Sequence, residues 1–205
     1  MTENILVILF VAVPAIILHE FAHGWAALCL GDSTARSMGR LTLNPLKHID
    51  PVGTLLIPGL LYASYALGWT HSLLMFGWAK PVPVNFSALR FPRRDMILVA
   101  LAGPLVNILL ALLMAQILRL GWMPRFSIFF FYGVLLNLGL AIFNLLPIPP
   151  LDGSRIVSGC LPRAWAREYS RLEPFGFLVL ILLLNFGGLS FVSRLVMVAF
   201  RILGL

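Results

Sequence analysis

The chain has 205 residues, of which 60% are hydrophobic and 11% are charged, and its formal net charge at pH 7 is +7. Soluble domains are about 45–50% apolar and about 25% charged, so a water-soluble fold of this length could not bury so much apolar surface. The same composition excludes a disordered chain, a nucleic-acid-binding domain and a small secreted scaffold. It indicates an integral membrane protein.

Long apolar segments predict an all-α membrane protein, a polytopic bundle of transmembrane helices. Ile5–Leu30, Met96–Leu118 and Phe126–Leu146 each come near the ~20 residues that cross the hydrocarbon core. Phe175–Leu205 is expected to form either one tilted span or a span followed by a helix at the membrane interface. We expect residues 1–205 to be a single integral-membrane domain with about four to six membrane segments and no appended soluble domain.

The connection between the first and second spans is less regular. Gly39–Asp50 begins with alternating side chains that predict a short strand before a turn. Two prolines predict that Gly77–Asn85 is extended or turn-like.

Basic residues lie in the short connectors between the apolar segments, which is typical of cytoplasmic loops that face anionic lipid. The connectors after the first and third spans are both basic, so both are expected inside, with the N-terminus outside. Thr54–Trp78 then begins and ends inside, and its 25 residues cannot make two helical crossings of a ~30 Å core. It is expected to be a re-entrant or interfacial element, unless Gly31–Gly53 itself completes a crossing. The basic residues of these inside connectors include Arg36, Arg40, Lys47, Lys80, Arg90, Arg93, Arg94, Arg155, Arg163, Arg167 and Arg171.

The residues from His19 to His23 match the pattern H-E-x-x-H. Residues four apart lie on one face of a helix, so both imidazoles can bind one metal ion, and Glu20 can take a proton from water on the open side of the metal. Neutral imidazoles suit zinc, whose catalytic sites have three protein ligands. Because the pattern lies inside an apolar span, a functional site is favoured over a polar cluster that only pins two helices together.

A third ligand has to come from elsewhere, and Asp152 is the candidate. It follows the third apolar span after the proline-rich stretch Pro147–Pro150, where the helix unwinds and irregular backbone can line a cavity. Spacing alone leaves this role and that of an ordinary interfacial aspartate equally open.

The pattern at His19–His23, together with Asn144–Gly153, resembles the site-2 protease family of intramembrane zinc metalloproteases, in its small core-only prokaryotic type. Three further stretches resemble motifs of that family. They are Gly39–Asp50, Gly77–Asn85 and Gly103–Asn107.

The resemblance implies one zinc ion per chain, with His19, His23 and Asp152 as ligands and Glu20 as the catalytic base. It also implies that Gly39–Asp50 forms a short re-entrant, strand-like loop that presents an unwound substrate.

Several polar residues near these motifs receive separate predictions. Asn144 is expected to orient the substrate backbone or to stabilise an oxyanion, whereas Asn107 is expected to make hydrogen bonds between helices. For His48 and Asp50, local interactions at the end of a loop are favoured over a supporting role around the metal ligands.

The leading hypothesis is an intramembrane zinc endopeptidase that hydrolyses a peptide bond in or near a transmembrane segment of a membrane protein. Its expected partners are a transmembrane protein or peptide substrate and the lipid bilayer, with no nucleic acid, and the sequence predicts no particular oligomeric state. We expect it in a prokaryotic cell membrane, with the active site toward the cytoplasmic side. Two alternatives remain: a membrane transporter that uses intramembrane histidine and carboxylate groups, and a proteolytically inactive homologue that binds peptides.

Overall fold

The structure, a computed structural model, describes residues 2–69, 77, 79–185 and 188–205. The prediction of an all-α fold is confirmed, because the regular structure in these residues is helical and no strand occurs among them. The α-helices are α1 (Thr2–Cys29), α2 (Thr34–Ser37), α3 (Ile57–Ala66), α4 (Pro92–Leu120), α5 (Ser127–Asn144), α6 (Asp152–Cys160), α7 (Arg163–Ser170), α8 (Glu173–Asn185) and α9 (Gly188–Ile202).

Among the described residues, three helical segments are long and apolar enough to cross a membrane. They are Phe10–Cys29, Pro92–Leu120 and Pro124–Asn144. These segments coincide, within a few residues at most ends, with the first three predicted spans, so that prediction is confirmed. The protein is therefore an integral membrane protein.

Helix α4 is the centre of the bundle and packs against α1, α5 and α6. Ala111 and Ala115 on α4 are almost fully buried against Val134 and Leu138 of α5. Small side chains let helix backbones approach closely, and this close packing stabilises helix pairs within lipid. The centre of the bundle is therefore a tight α4–α5 pair with α1 alongside.

The C-terminal apolar stretch Phe175–Leu205 is helical on both sides of residues 186–187, which lie outside the described part: α8 ends at Asn185 and α9 begins at Gly188. The choice between one tilted span and a span followed by an interfacial helix stays a prediction. Helix α9 packs along α5, where Val192, Val196 and Phe200 join the apolar core.

The prediction of a strand in Gly39–Asp50 is wrong. This stretch consists of bends and turns around a single 3₁₀ turn, Pro45–Lys47. A strand needs a neighbouring strand to pair with, and local contacts engage polar groups here instead: the Asn44 side chain accepts a bond from the Leu46 amide, and the His48 ring lies 2.8 Å from the Thr42 carbonyl oxygen.

The prediction of local, loop-end interactions for His48 and Asp50 is confirmed. His48 contacts the loop as described above, and the Asp50 carboxylate accepts bonds from the amides of Val52 and Gly53. Asp50 thereby caps a short π-helix, Pro51–Leu56, that leads into α3.

The described part of Gly77–Asn85, residues 77 and 79–85, contains no regular secondary structure, as its two prolines predict. Residues 70–76 and 78 lie outside the described part, so the re-entrant path expected for Thr54–Trp78 stays a prediction.

We predict that Gly176 is needed where α8 meets the proline-rich stretch. A Cβ atom on Gly176 would lie 1.9 Å from the carbonyl oxygen of Pro149, so a Gly176→Ala variant has to displace backbone. We expect it to lower the free energy of unfolding by about 1–3 kcal/mol, the usual cost of overpacking.

The matched control is Gly139→Ala on α5, because nothing lies within 4 Å of a Cβ atom at that position. Thermal unfolding of the purified protein in detergent compares the two variants. Equal midpoints would contradict the packing of α8 against the proline-rich stretch.

Candidate metal centre

Helix α1 places His19 and His23 one turn apart on the face that it packs against α4. Both residues are buried, their rings meet edge to face with centroids 4.6 Å apart, and their Nε2 atoms are 3.0 Å apart. The i, i+4 spacing in the sequence therefore brings the two imidazoles together as predicted.

Asp152 reaches the same point from another part of the chain. Helix α5 ends at Asn144, the proline-rich stretch follows, and α6 begins at Asp152 itself. The Oδ2 atom of Asp152 lies 3.2 Å from Nε2 of His19 and 3.3 Å from Nε2 of His23. The irregular backbone at the end of the third span thus delivers a carboxylate to the histidine pair.

Two glycines make room for this cluster. A Cβ atom on Gly103 of α4 would lie 2.4 Å from Nε2 of His23 and 2.6 Å from Nε2 of His19. A Cβ atom on Gly153 would lie 2.2 Å from the carbonyl oxygen of Leu145, at the end of α5. Side chains at these positions would displace the imidazoles or the start of α6.

The Nδ1 atoms of both histidines are bound on the side away from the cluster. Nδ1 of His19 lies 2.5 Å from Oδ1 of Asn107, and Nδ1 of His23 lies 2.7 Å from the carbonyl oxygen of Val99. The amide group of Asn107 donates to Asn137, which assigns its oxygen to His19. Both partners on the Nδ1 side are therefore acceptors, so each neutral ring carries its proton on Nδ1 and presents an unprotonated Nε2 to the cluster.

Three hydrogen-bond acceptor atoms, two nitrogens and one oxygen, therefore converge in the cluster. The third acceptor is the side chain of Asp152, whose carboxyl group lies beside the two unprotonated Nε2 atoms. Its Oδ2 atom is buried and has no hydrogen-bond partner. Two nitrogen lone pairs and a carboxylate oxygen this close are unfavourable without a cation between them.

The donor set fits zinc. The three ligand atoms lie within 4.8 Å of one another. Bonds of about 2.0–2.2 Å around one tetrahedral ion place neighbouring ligand atoms roughly 3.3 Å apart, close to the separations found here. Two imidazoles and one carboxylate also leave a fourth position open, as in catalytic zinc sites. That His19, His23 and Asp152 serve as the ligands stays a prediction.

Glu20 follows the first histidine but is not part of the cluster of three. Its Oε2 atom accepts a hydrogen bond from the backbone amide of Val82, at 2.8 Å. The side chain is half-buried. The Glu20 carboxylate is held by a backbone amide and bonds to none of the three clustered residues, which suits a catalytic base. That role stays a prediction.

The two asparagines behave differently. The prediction that Asn107 makes hydrogen bonds between helices is confirmed, because it bonds to His19 and Ala15 of α1 and to Asn137 of α5. Asn144 donates from Nδ2 to the carbonyl oxygen of Leu140 in its own helix, at 2.9 Å, and its expected role toward substrate stays a prediction.

Sequence reasoning missed that Asn107 bonds directly to His19, a predicted metal ligand. The available signal was an asparagine deep in an apolar span, because histidines that bind metals usually donate their second ring nitrogen to a polar acceptor. Sequence reasoning also missed Asn137, because its partner Asn107 is 30 positions away and only packing brings the two amides together.

We predict that purified protein contains about one zinc ion per chain and that His19→Ala, His23→Ala and Asp152→Ala each lower this content, because a three-ligand site loses a ligand in every case. Asn144→Ala is the control, since the Asn144 side chain bonds to its own helix. Elemental analysis after dialysis against a weak chelator measures the zinc. Full zinc retention in Asp152→Ala would remove that residue from the ligand set.

Comparison with known proteins extends the likeness beyond the metal centre. The model for peptidase family M50 matches residues 122–185, which include Asp152. A protein of Bacillus subtilis (strain 168) that carries the provisional name zinc metalloprotease YwhC is 40% identical over 176 residues, which make up 81% of this chain and 74% of that protein. No solved structure matches the chain.

A protein of Mycolicibacterium smegmatis, provisionally named zinc metalloprotease Rip2, is 34% identical over 171 residues, 82% of this chain and 62% of that protein. A third protein, of Methanocaldococcus jannaschii and provisionally named zinc metalloprotease MJ0611, is 43% identical over 70 residues, 33% of this chain and 36% of that protein. Identity of 40% across about three quarters of the Bacillus protein reaches far past a five-residue motif, and the chain therefore belongs to peptidase family M50, the site-2 protease family of zinc metalloproteases.

Proposed function

We propose that this zinc metalloprotease is an intramembrane endopeptidase, which hydrolyses a peptide bond in or near a transmembrane segment of a membrane protein. The observation that carries the proposal is the position of the His19–His23 pair near the middle of an apolar helical segment that is long enough to cross a membrane. His19 lies nine residues after the first residue of the span Phe10–Cys29 and ten before its last. At ~1.5 Å per residue, this is about 14 Å from either end. With that segment across the bilayer, a bond cleaved at this centre lies within the hydrocarbon core.

The proposal divides the chemistry between the ion and the chain. A zinc ion bound at the centre supplies a Lewis acid that polarises a carbonyl group and lowers the pKa of water. Glu20 takes the proton from the attacking water and passes it to the leaving amine nitrogen. Asn107 and the Val99 carbonyl hold the rings of His19 and His23, so this part of the site is organised before substrate arrives.

The substrate has to unwind before it is cleaved. A transmembrane helix keeps its carbonyl groups hydrogen-bonded internally, so the scissile carbonyl is inaccessible until the helix opens. We therefore propose substrates that carry helix-weakening residues near the cleaved bond.

We further propose a prokaryotic cell membrane as the location and the cytoplasmic side as the side from which the centre opens. The metal centre joins the second half of α1 to the residues just after α5, so the ends of these two helices lie on one side of the membrane. The connectors that follow them are rich in arginine, which favours the cytoplasm. Water reaches the centre from that side.

We predict that Glu20→Gln abolishes cleavage but keeps zinc. The amide has nearly the same size and its oxygen can still accept the bond from Val82, whereas it cannot take a proton. General-base catalysis contributes about 10²–10⁴-fold, so the rate should fall by at least that range. Cleavage of a transmembrane peptide in liposomes, with zinc measured on the same sample, gives both quantities.

The control is Glu168→Gln on α7, an exposed carboxylate that pairs with Arg171, since exposed ion pairs contribute little. A zinc-loaded Glu20→Gln protein that cleaves at the wild-type rate would contradict the mechanism. A wild type that cleaves no peptide yet moves ions or protons across the liposome membrane would replace the proposal by the transporter alternative.

The topology gives a separate prediction, because the metal centre requires the ends of α1 and α5 on one side. In a Cys29→Ser background, Cys160 and a cysteine introduced at Ser37 should both react with an impermeant maleimide in inverted membrane vesicles. A cysteine at Met123, with Cys160 also replaced, should react in spheroplasts. Cys160 is exposed, as is Met123. Labelling of Ser37→Cys and Cys160 from opposite sides would exclude the proposed arrangement.

A further inference from the structure

The extended residues 79–85, which we name the strap, cross α1 beside Glu20 and Gly24. Val82 is the point of closest approach: its side chain is 7% exposed, and a Cβ atom on Gly24 would lie 2.8 Å from its Cγ1 atom. The backbone amide of Val82 donates to Oε2 of Glu20 at 2.8 Å. A connector between two spans is thus hydrogen-bonded to the side chain assigned as the base.

The local sequence makes Val82 the single donor at this crossing. Pro81 and Pro83 flank it, and proline has no backbone N–H. Their rings also disfavour a helical conformation at the residues that precede them, Lys80 and Val82. Across Pro81–Pro83, the strap therefore has one N–H group, and that group bonds to Glu20.

The opposite end of the same peptide unit is held by Arg40. The Pro81 carbonyl oxygen and the Val82 N–H belong to one planar peptide group. An Nη2 atom of Arg40 lies 3.2 Å from that oxygen and 2.9 Å from the carbonyl oxygen of Lys80, and Nη1 donates to the carbonyl oxygen of Lys47. Arg40 and Glu20 thus bind the two ends of one rigid group.

Two further bonds fix the strap at its ends. The Lys80 amide donates to the carbonyl oxygen of His48 at 2.9 Å, and the Asn85 amide donates to Oδ2 of Asp32 at 2.7 Å. These bonds set the path of the strap, while Arg40 sets the rotation of the peptide plane that points at Glu20.

We propose that Arg40 is a positioning residue for catalysis: by holding the Pro81–Val82 peptide plane, it aims the Val82 N–H that keeps the Glu20 carboxylate in place for proton transfer. This inference rests on the proposed function. A carboxylate has two oxygens, so Oε2 can accept the strap while Oε1 receives the proton. A free glutamate side chain samples several rotamers, and a misplacement of about 1 Å can cost about 10²-fold in rate.

The first test is the Arg40→Gln variant in the liposome cleavage assay. We expect kcat to fall about 10–10²-fold, with KM and zinc content little changed, because the base is misplaced while the ligands are intact. Arg40→Lys should recover part of the rate, since lysine offers a single point donor instead of a planar fork. The control is Arg36→Gln, which removes the same charge from an exposed position in α2.

The second test removes the N–H itself. Incorporating 2-hydroxyisovaleric acid at position 82 by nonsense suppression replaces the amide by an ester and keeps the valine side chain. We expect a similar fall in kcat. If Arg40 acts through this peptide unit, Arg40→Gln should add little to the ester variant, because changes that break one chain of contacts are not additive.

A third readout does not depend on activity. Hydrogen–deuterium exchange of residues 79–85 in detergent should be faster in Arg40→Gln than in wild type or Arg36→Gln. If wild type with zinc cleaves nothing, the proposed function fails, while the exchange result still decides whether Arg40 holds the strap. Unchanged kcat or unchanged exchange in Arg40→Gln overturns the positioning role. A higher kcat overturns it as well, because the strap would then restrain Glu20.

Discussion

The structure depends on the electrostatics of three acceptor atoms brought together inside an apolar bundle. Nε2 of His19, Nε2 of His23 and Oδ2 of Asp152 converge within a few ångströms, and none of them has a proton to share with the others once both Nδ1 atoms are engaged. In a low-dielectric interior such a group is unfavourable without a positive charge between its members. A zinc ion bound at this predicted site joins α1 to the start of α6.

Helix α4 contributes none of the three acceptor atoms, yet it makes their convergence possible. Helix α4 lies between α1 and α5, offers a glycine where the imidazoles need space, and supplies acceptors for the far side of both rings through Asn107 and the Val99 carbonyl. These contacts choose the tautomer of each histidine and hold its orientation. A short ligand pattern on one helix becomes a binding site only when a neighbour provides space and acceptors.

Irregular backbone near the centre is stabilised by side chains instead of by a sheet. No strand lies beside residues 38–50 or the strap among the described residues. The side chains of Arg40, Asp32 and Asp50 bind backbone groups in or next to these segments instead. Buried backbone polar groups have to be paired, and this need is greatest near lipid. The same bonds place the strap against Glu20, so the stability of the connectors and the geometry of the site are linked.

The sequence by itself determined the class of the protein, the three long spans within a few residues, and the group of residues that could bind a metal. Hydrophobicity and the 3.6-residue period are local properties, so they can be read from a single chain. The strand expected in Gly39–Asp50 failed because alternation shows only a tendency, and a strand forms only with a partner. Tertiary structure alone decided that Asp152 meets the histidines, that Asn107 stands behind His19, and that Arg40 and Val82 reach Glu20. Those contacts join residues many positions apart, and their distances are set by how the helices pack, which no local pattern encodes.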